Sequence, residues 1–129
     1  MHVAILEDNV VILDMLTHAM TLGGHTTSTY TLASDLYEDL FHEGGGENAP
    51  APYDILLLDY MLPEGLTGED VVTRIRETYA PEQLPIIVIS GTMQRHLVDL
   101  HKRYPDVIVI PKPVSLEFLF RMMKKAIAQ

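Results

Sequence analysis

The chain has 129 residues and no cysteine, enough for one domain with a single core and nothing from which to build a disulfide framework or a thiolate metal site. Hydrophobic residues make up 47% of it, which excludes disorder as a reading of the whole chain. A formal net charge of −9, from 18 acidic and 9 basic residues, sets up a field that repels nucleic-acid phosphates.

No apolar run approaches the length of a membrane span. The N-terminal segment Met1-His2-Val3-Ala4-Ile5-Leu6 has no basic flank and ends in two acids, unlike a signal peptide. The expectation is one soluble, cytoplasmic domain over residues 1–129, with no direct nucleic-acid binding and no membrane association.

Strand and helix signals then alternate along the chain. His2 to Leu6 is a short apolar run that predicts a strand. Asn9 to Leu22 carries Ile12, Met15, Leu16 and Ala19 at helical spacing and stops at Gly23-Gly24. The threonine-rich segment from His25 to Tyr30 suits a strand at or near a sheet edge. Thr31 to His42 predicts a helix with Leu32, Leu36, Tyr37 and Leu40 on one side. Gly44 to Pro52 is rich in glycine and proline and predicts a surface loop.

Ile55 to Leu58 is continuously apolar, as is a strand buried on both faces. Ile86 to Ile89 and Val107 to Ile110 repeat that signature. The intervening helices are predicted over Gly68 to Tyr79 and Thr92 to Tyr104. A last helix runs from Ser115, its expected N-cap, to about Ala128, with Glu117 in the first turn where the helix dipole favours an acid.

Five strands alternating with five helices predict an α/β fold, a doubly wound parallel sheet with helices on both faces. Such sheets place their sites beyond the carboxyl ends of the strands. The residues there are Glu7 and Asp8, Asp59, Ser90 with Gly91, and Lys112. Three clustered carboxylates need compensation, since two unit charges about 4 Å apart repel by about 4 kcal/mol at an effective dielectric near 20. Lys112 supplies one positive charge, and an all-oxygen set suits a hard divalent cation, Mg²⁺ above all. Asp59 closes the most apolar strand and is the candidate nucleophile. A carboxylate can attack activated phosphorus to form an acyl phosphate, and positioning with charge neutralisation does most of the catalysis.

Leu6-Glu7-Asp8-Asn9, then Asp54 to Asp59 with Tyr60-Met61-Leu62-Pro63 and Gly68, then Val88-Ile89-Ser90-Gly91 and Pro111-Lys112-Pro113 together resemble the receiver domain of two-component response regulators. The resemblance runs from one end of the chain to the other. It implies a flavodoxin-like sheet in strand order 2-1-3-4-5. It implies Asp59 as phosphoacceptor, and Glu7, Asp8, Asp59 and the Met61 backbone carbonyl as the Mg²⁺ ligands. Ser90, Gly91 and Lys112 would hold and read the phosphoryl group, and the Lys112-Pro113 peptide would be cis. The implied partner is a sensor histidine kinase or a histidine phosphotransfer protein. The chain would be a signalling module rather than an enzyme acting on other substrates, with slow autodephosphorylation as its only turnover.

Two positions depart from the family pattern. Val109 stands where an aromatic switch residue is common, so a swinging ring is excluded as the readout. The loop Glu64-Gly65-Leu66-Thr67 is one residue longer than usual. Met61 and Thr92 are expected along the route of attacking water, where an apolar Met61 would slow hydrolysis.

The six histidines show no ligand spacing. On the last helix Leu116, Leu119, Phe120, Met123 and Ile127 form the expected core stripe. Phe118 and Met122 fall partly off it and are interface candidates, and the family resemblance implies a possible homodimer through the fourth and fifth helices and fifth strand. Three other readings compete. A phosphatase with an aspartate nucleophile would need a second acid two residues on, where Met61 stands. A nucleotide-binding domain would need a Gly-rich loop after the first strand, where Glu7-Asp8-Asn9 stands. A degenerate receiver used only for docking would not retain the complete set of acids, hydroxyl and lysine.

Overall fold

The computed structural model describes residues 1–41, 50–91 and 94–128. Its elements are β1 (His2–Leu6), α1 (Val10–Leu22), β2 (Thr26–Tyr30), α2 (Ala33–Leu40), β3 (Ile55–Asp59), α3 (Gly68–Arg76), β4 (Ile86–Ser90), α4 (Gln94–Arg103), β5 (Ile108–Pro111) and α5 (Leu116–Ala128), with a 3₁₀ turn at Pro63–Gly65. All strand pairs are parallel, in the order β2-β1-β3-β4-β5. This is the predicted doubly wound architecture.

The period-two alternation of the strands divides the core into two layers. Ala4, Leu6, Leu56, Leu58 and Val88 face one way and meet Leu36 and Leu40 of α2, Val71, Val72 and Ile75 of α3 and Leu100 of α4. Val3, Ile5, Ile55, Leu57, Ile87 and Ile89 face the other way and meet Leu13, Leu16 and Met20 of α1 and Leu119 and Met123 of α5. Every residue of β3 and β4 is buried, which is why both read as unbroken apolar runs. β2, with its threonines, is an edge strand as expected.

Helix starts are fixed by local chemistry. The Asn9 side chain accepts from the backbone N–H groups of Val11 and Ile12 at 3.0 and 3.2 Å. Thr67 and Asp70 form a reciprocal capping box at α3. The Ser115 hydroxyl accepts from Phe118 N–H at 3.4 Å.

The helix faces differ in places from the sequence reading. Met15 is exposed, and Leu13 and Met20 are buried instead. The run from Val10 to Leu16 is apolar at every position but Asp14, so several helical phases fit it equally and packing selects one. Leu32 precedes α2 and is exposed. On α5 the buried stripe is Leu119, Met123 and Ala126, while Leu116 and Ile127 are exposed. Of the expected features, His42, residues 44–49 of the loop and Thr92 lie outside the described residues.

Candidate functional site

The carboxyl ends of four strands converge, and backbone hydrogen bonds fix where each one stops. Glu7 N–H donates to the Tyr30 carbonyl at 3.0 Å, Tyr60 N–H to Ile89 at 3.0 Å, and Lys112 N–H to Ser90 at 2.9 Å. These bonds carry the sheet ladder one step past β1, β3 and β5, so the side chains that follow are held by rigid elements.

The structure brings Glu7, Asp8 and Asp59 together. One carboxylate oxygen from each lies within 4.8 Å of the others. Asp8 is exposed, whereas Glu7 and Asp59 are only 2% and 8% exposed. Lys112 enters from the far side, with Nζ 3.1 Å from Asp59 Oδ1 and 3.7 Å from Glu7 Oε1. Ser90, 3% exposed, closes β4 immediately after Ile89, the register partner of Asp59.

The electrostatics of the trio are unbalanced. Burial, and then the neighbouring Asp59 carboxylate, push the Glu7 carboxyl up to about 8; Lys112 draws it down and Asp8 pushes it further up. Neither Glu7 oxygen has a hydrogen-bond partner, although both are buried. A buried polar group left in that state costs about 1–3 kcal/mol. A hard cation bridging the three carboxylates would satisfy those oxygens and cancel the repulsion, so the donor set fits Mg²⁺.

The remaining predicted positions are less tightly gathered. Met61 is 60% exposed, and its backbone forms an isolated antiparallel bridge with Thr67. Gly91 is exposed, and a Cβ there would meet the Lys112 stem at 3.7 Å, an ordinary contact. Its lack of a side chain is therefore not required by the protein's own packing. The Lys112-Pro113 peptide is cis. Val109 is half-buried beside its partner Val88 and packs on the α2–α3–α4 layer. Phe118 and Met122 are half-buried against the α1–α5 layer, so they widen the core as well as facing outward.

The longer loop after Asp59 is accommodated by backbone in the left-handed region, with Glu64 at φ 65° and Gly65 at φ 76°. Gly68 then packs directly on the end of β3. A Cβ on it would lie 3.1 Å from the Tyr60 Cα and 3.3 Å from the Asp59 carbonyl oxygen, and its N–H donates to the Tyr60 carbonyl at 2.6 Å. This seat, with an apolar groove lined by Ile12, Met15, Pro113 and Val114 beside Lys112, went unread in the sequence. The exposed Met15 was its one sequence signal, and it was masked by the apolar run around it.

No protein-family model and no curated protein sequence matches the chain. Solved structures do. A CheY-like response regulator receiver domain protein from Methanospirillum hungatei superposes with a TM-score of 0.79 at 19% identity, over 98% of this chain and 93% of that one. The non-phosphorylated HemR receiver domain from Leptospira biflexa gives 0.74 at 19%, over 99% and 94%. The response regulator TrrA from Thermotoga maritima, in complex with Mg²⁺ and BeF, gives 0.77 at 20%, over 97% of each. The chain thus has the fold of CheY-like response-regulator receiver domains. At these identities the likeness is one of fold.

Proposed function

We propose that the chain is a response-regulator receiver domain that accepts a phosphoryl group onto Asp59 from the phosphohistidine of a sensor kinase or phosphotransfer protein, in a Mg²⁺-dependent reaction. The observation that carries this reading is the joint geometry at the sheet's carboxyl edge. A nearly buried carboxylate has a lysine 3.1 Å away on one side and two further acids within 4.8 Å on the other, one of them with both oxygens unpartnered.

In this reading Asp59 is the nucleophile. One carboxylate oxygen forms the new P–O bond as the P–N bond to the donor histidine breaks, and the electron pair returns to the imidazole, which takes a proton. Lys112, already in contact with Asp59, moves its charge onto the arriving phosphoryl oxygens. Ser90 would donate its hydroxyl to another of them. Glu7, Asp8, Asp59 and the Met61 carbonyl would hold Mg²⁺, which when bound neutralises negative charge on the phosphoryl oxygens. Gly91 leaves the donor's approach over the Lys112 stem uncovered. No helix among the described residues is long and apolar enough to cross a membrane, in keeping with a cytoplasmic partner.

The test is intact mass after incubation with acetyl phosphate, with Mg²⁺ or with EDTA, beside Asp59→Asn. The expected result is a gain of one phosphoryl group that needs Mg²⁺ and is lost in the variant. A gain that persists in Asp59→Asn would assign another acceptor. No gain in any condition would favour a docking module that does not turn over.

A further inference from the structure

The charge of this acidic protein is distributed very unevenly. Six of its nine Lys and Arg residues lie on α4 and α5, against only two acids, Asp99 and Glu117, a net of +4 on two helices. The rest of the chain holds three cations and 16 acids, a net of −13. Those three cations are all engaged. Arg74 lies over the Phe41 ring at 3.9 Å, Arg76 is bonded to Asp106, and Lys112 is in the site. All six cations of α4 and α5 are exposed.

Helical geometry sorts these cations into one surface. On α4, Leu97 and Leu100 face the core and Arg103 reaches back to Glu69 of α3 at 3.8 Å. The flank opposite Arg103 then carries Arg95, Val98 and Lys102. On α5, Leu119, Met123 and Ala126 face the core, while Phe120 contacts the α1 end at Gly23. The flank opposite Phe120 carries Phe118, Arg121, Met122 and Lys125. The two flanks border β5, a sheet edge whose outer backbone groups face no further strand. Arg95, Lys102 and Lys125 have no ion-pair partner among the described residues, and Arg121 has only the exposed Glu117 at 3.7 Å. The apolar part of the surface is Val98, 46% exposed, with the half-buried Phe118 and Met122.

We propose that the α4–β5–α5 face docks an acidic segment of a partner protein, one that sets apolar side chains on Val98, Phe118 and Met122 and carboxylates on Arg95, Lys102, Arg121 and Lys125. Charge selects this occupant over a second copy of the chain bound by the same face. A two-fold interface is isologous and would bring the four cations against the same four, and like charges in register cost several kcal/mol. Charge also confines the site. Elsewhere the surface is strongly negative and repels an acidic ligand, so complementarity exists only here. Nucleic acid shares the ligand's sign, but an extended polyanion would meet the net −13 remainder as well as this face. The inference does not depend on phosphoryl acceptance at Asp59.

The test uses the full chain and a fluorescein-labelled amphipathic peptide in which leucines recur at helical spacing among glutamates. Anisotropy gives the affinity, and ¹H–¹⁵N amide shifts locate it. The expected result is binding whose shifts fall on α4, β5 and α5, weaker at about 0.15 M salt, where the Debye length is about 8 Å. Lys102→Glu with Lys125→Glu is expected to weaken it at least tenfold, and circular dichroism checks that this variant, changed only at exposed positions, is folded. An Asp35→Lys, Glu38→Lys control on α2 is expected to leave the affinity of the face unchanged within about twofold. Shifts elsewhere, an affinity indifferent to the Lys102/Lys125 reversal, or no binding would overturn the proposal. So would concentration-dependent dimerisation, in sedimentation without peptide, that the same reversal abolishes, since the occupant would then be a second copy.

Discussion

Replacing Glu7 by Gln isolates the electrostatic cost of the acidic trio. Glu7 is buried with both oxygens unpartnered, and burial followed by Asp59 raises its carboxyl from 4.5 to about 8. The sign follows from proton binding. Between pH 4.5 and about 8 the metal-free fold holds a proton on Glu7 that the unfolded chain has released, so stability falls as pH rises. The contribution is fully present below 4.5 and is gone by about 8. At about 1.36 kcal/mol per pKa unit, the whole shift corresponds to roughly 4 kcal/mol at the upper end. Gln has nearly the same volume, can donate an N–H to Asp59, and never ionises. Urea unfolding in EDTA, followed by circular dichroism from pH 5 to 9, reads the difference directly, because every other titrating group is common to both proteins. The two are expected to be of similar stability at pH 5. The variant should be more stable by about 2–4 kcal/mol at pH 8.5. Mg²⁺ should then restore the wild type above pH 7, by about 2.7 kcal/mol at a hundred times its Kd, and restore the variant less. Parallel pH profiles for the two proteins in EDTA would refute the reasoning, since the trio would then carry no unrelieved charge.

Four further outcomes follow from the same geometry. Gly68→Ala should destabilise by about 1–3 kcal/mol and slow phosphoryl acceptance, because the added Cβ meets the backbone of Asp59 and Tyr60 at 3.1–3.3 Å; urea melts with acetyl-phosphate mass kinetics check both. Glu64→Gly should stabilise by about 0.5–1 kcal/mol, since φ is 65° at that residue and glycine alone enters the left-handed region without penalty. Arg76→Ala should cost about 2–4 kcal/mol in urea melts, because its guanidinium holds Asp106 at 2.8 Å and the Leu84 and Tyr79 carbonyls at 2.9 and 3.2 Å. Met61→Asn should shorten the lifetime of the phosphorylated state about five- to tenfold, because an amide can orient water at a 60% exposed position with a hydrogen bond worth about 1 kcal/mol; an unchanged lifetime by mass would remove Met61 from that role.

The sheet was legible wherever burial leaves no choice. β3 and β4 are covered on both faces, so nearly every position had to be apolar and the strands stood out as Ile55–Asp59 and Ile86–Ser90. Once those two and β1 were placed, the strand-end rule alone selected Glu7, Asp8, Asp59 and Ser90, and the structure brings the three acids within 4.8 Å. Helix faces were less legible. α1 offers apolar residues on most of its circumference, and α5 carries Leu116, Phe118, Phe120, Met122 and Ile127 around a stripe whose third member is the small Ala126. Size and hydrophobicity then do not fix the phase; contact with Ile87, Ile89 and Ile110 does. The seat of Gly68 on the end of β3 depends on a distance between two backbones, which no periodicity encodes.

Val109 limits how the site could speak to the α4–α5 face. A β-branched side chain has one strongly preferred rotamer and no ring to swing, and here it is pinned between Val88 and the α2–α3–α4 layer. What connects Asp59 to that face is main chain. Asp59 pairs with Ile89, Ser90 accepts from Lys112 N–H at 2.9 Å, and β5 runs directly into the loop that leads to α5. Any shift of Ser90 or Lys112 toward a phosphoryl group at Asp59 therefore pulls on β5 and on the start of α4 together. Beryllofluoride with Mg²⁺ provides the test through amide hydrogen exchange. Protection should change at Ile108–Pro111 and in the first turn of α5, and it should do so equally in a conservative Val109→Ile variant, which a rotamer-based relay would not tolerate unchanged.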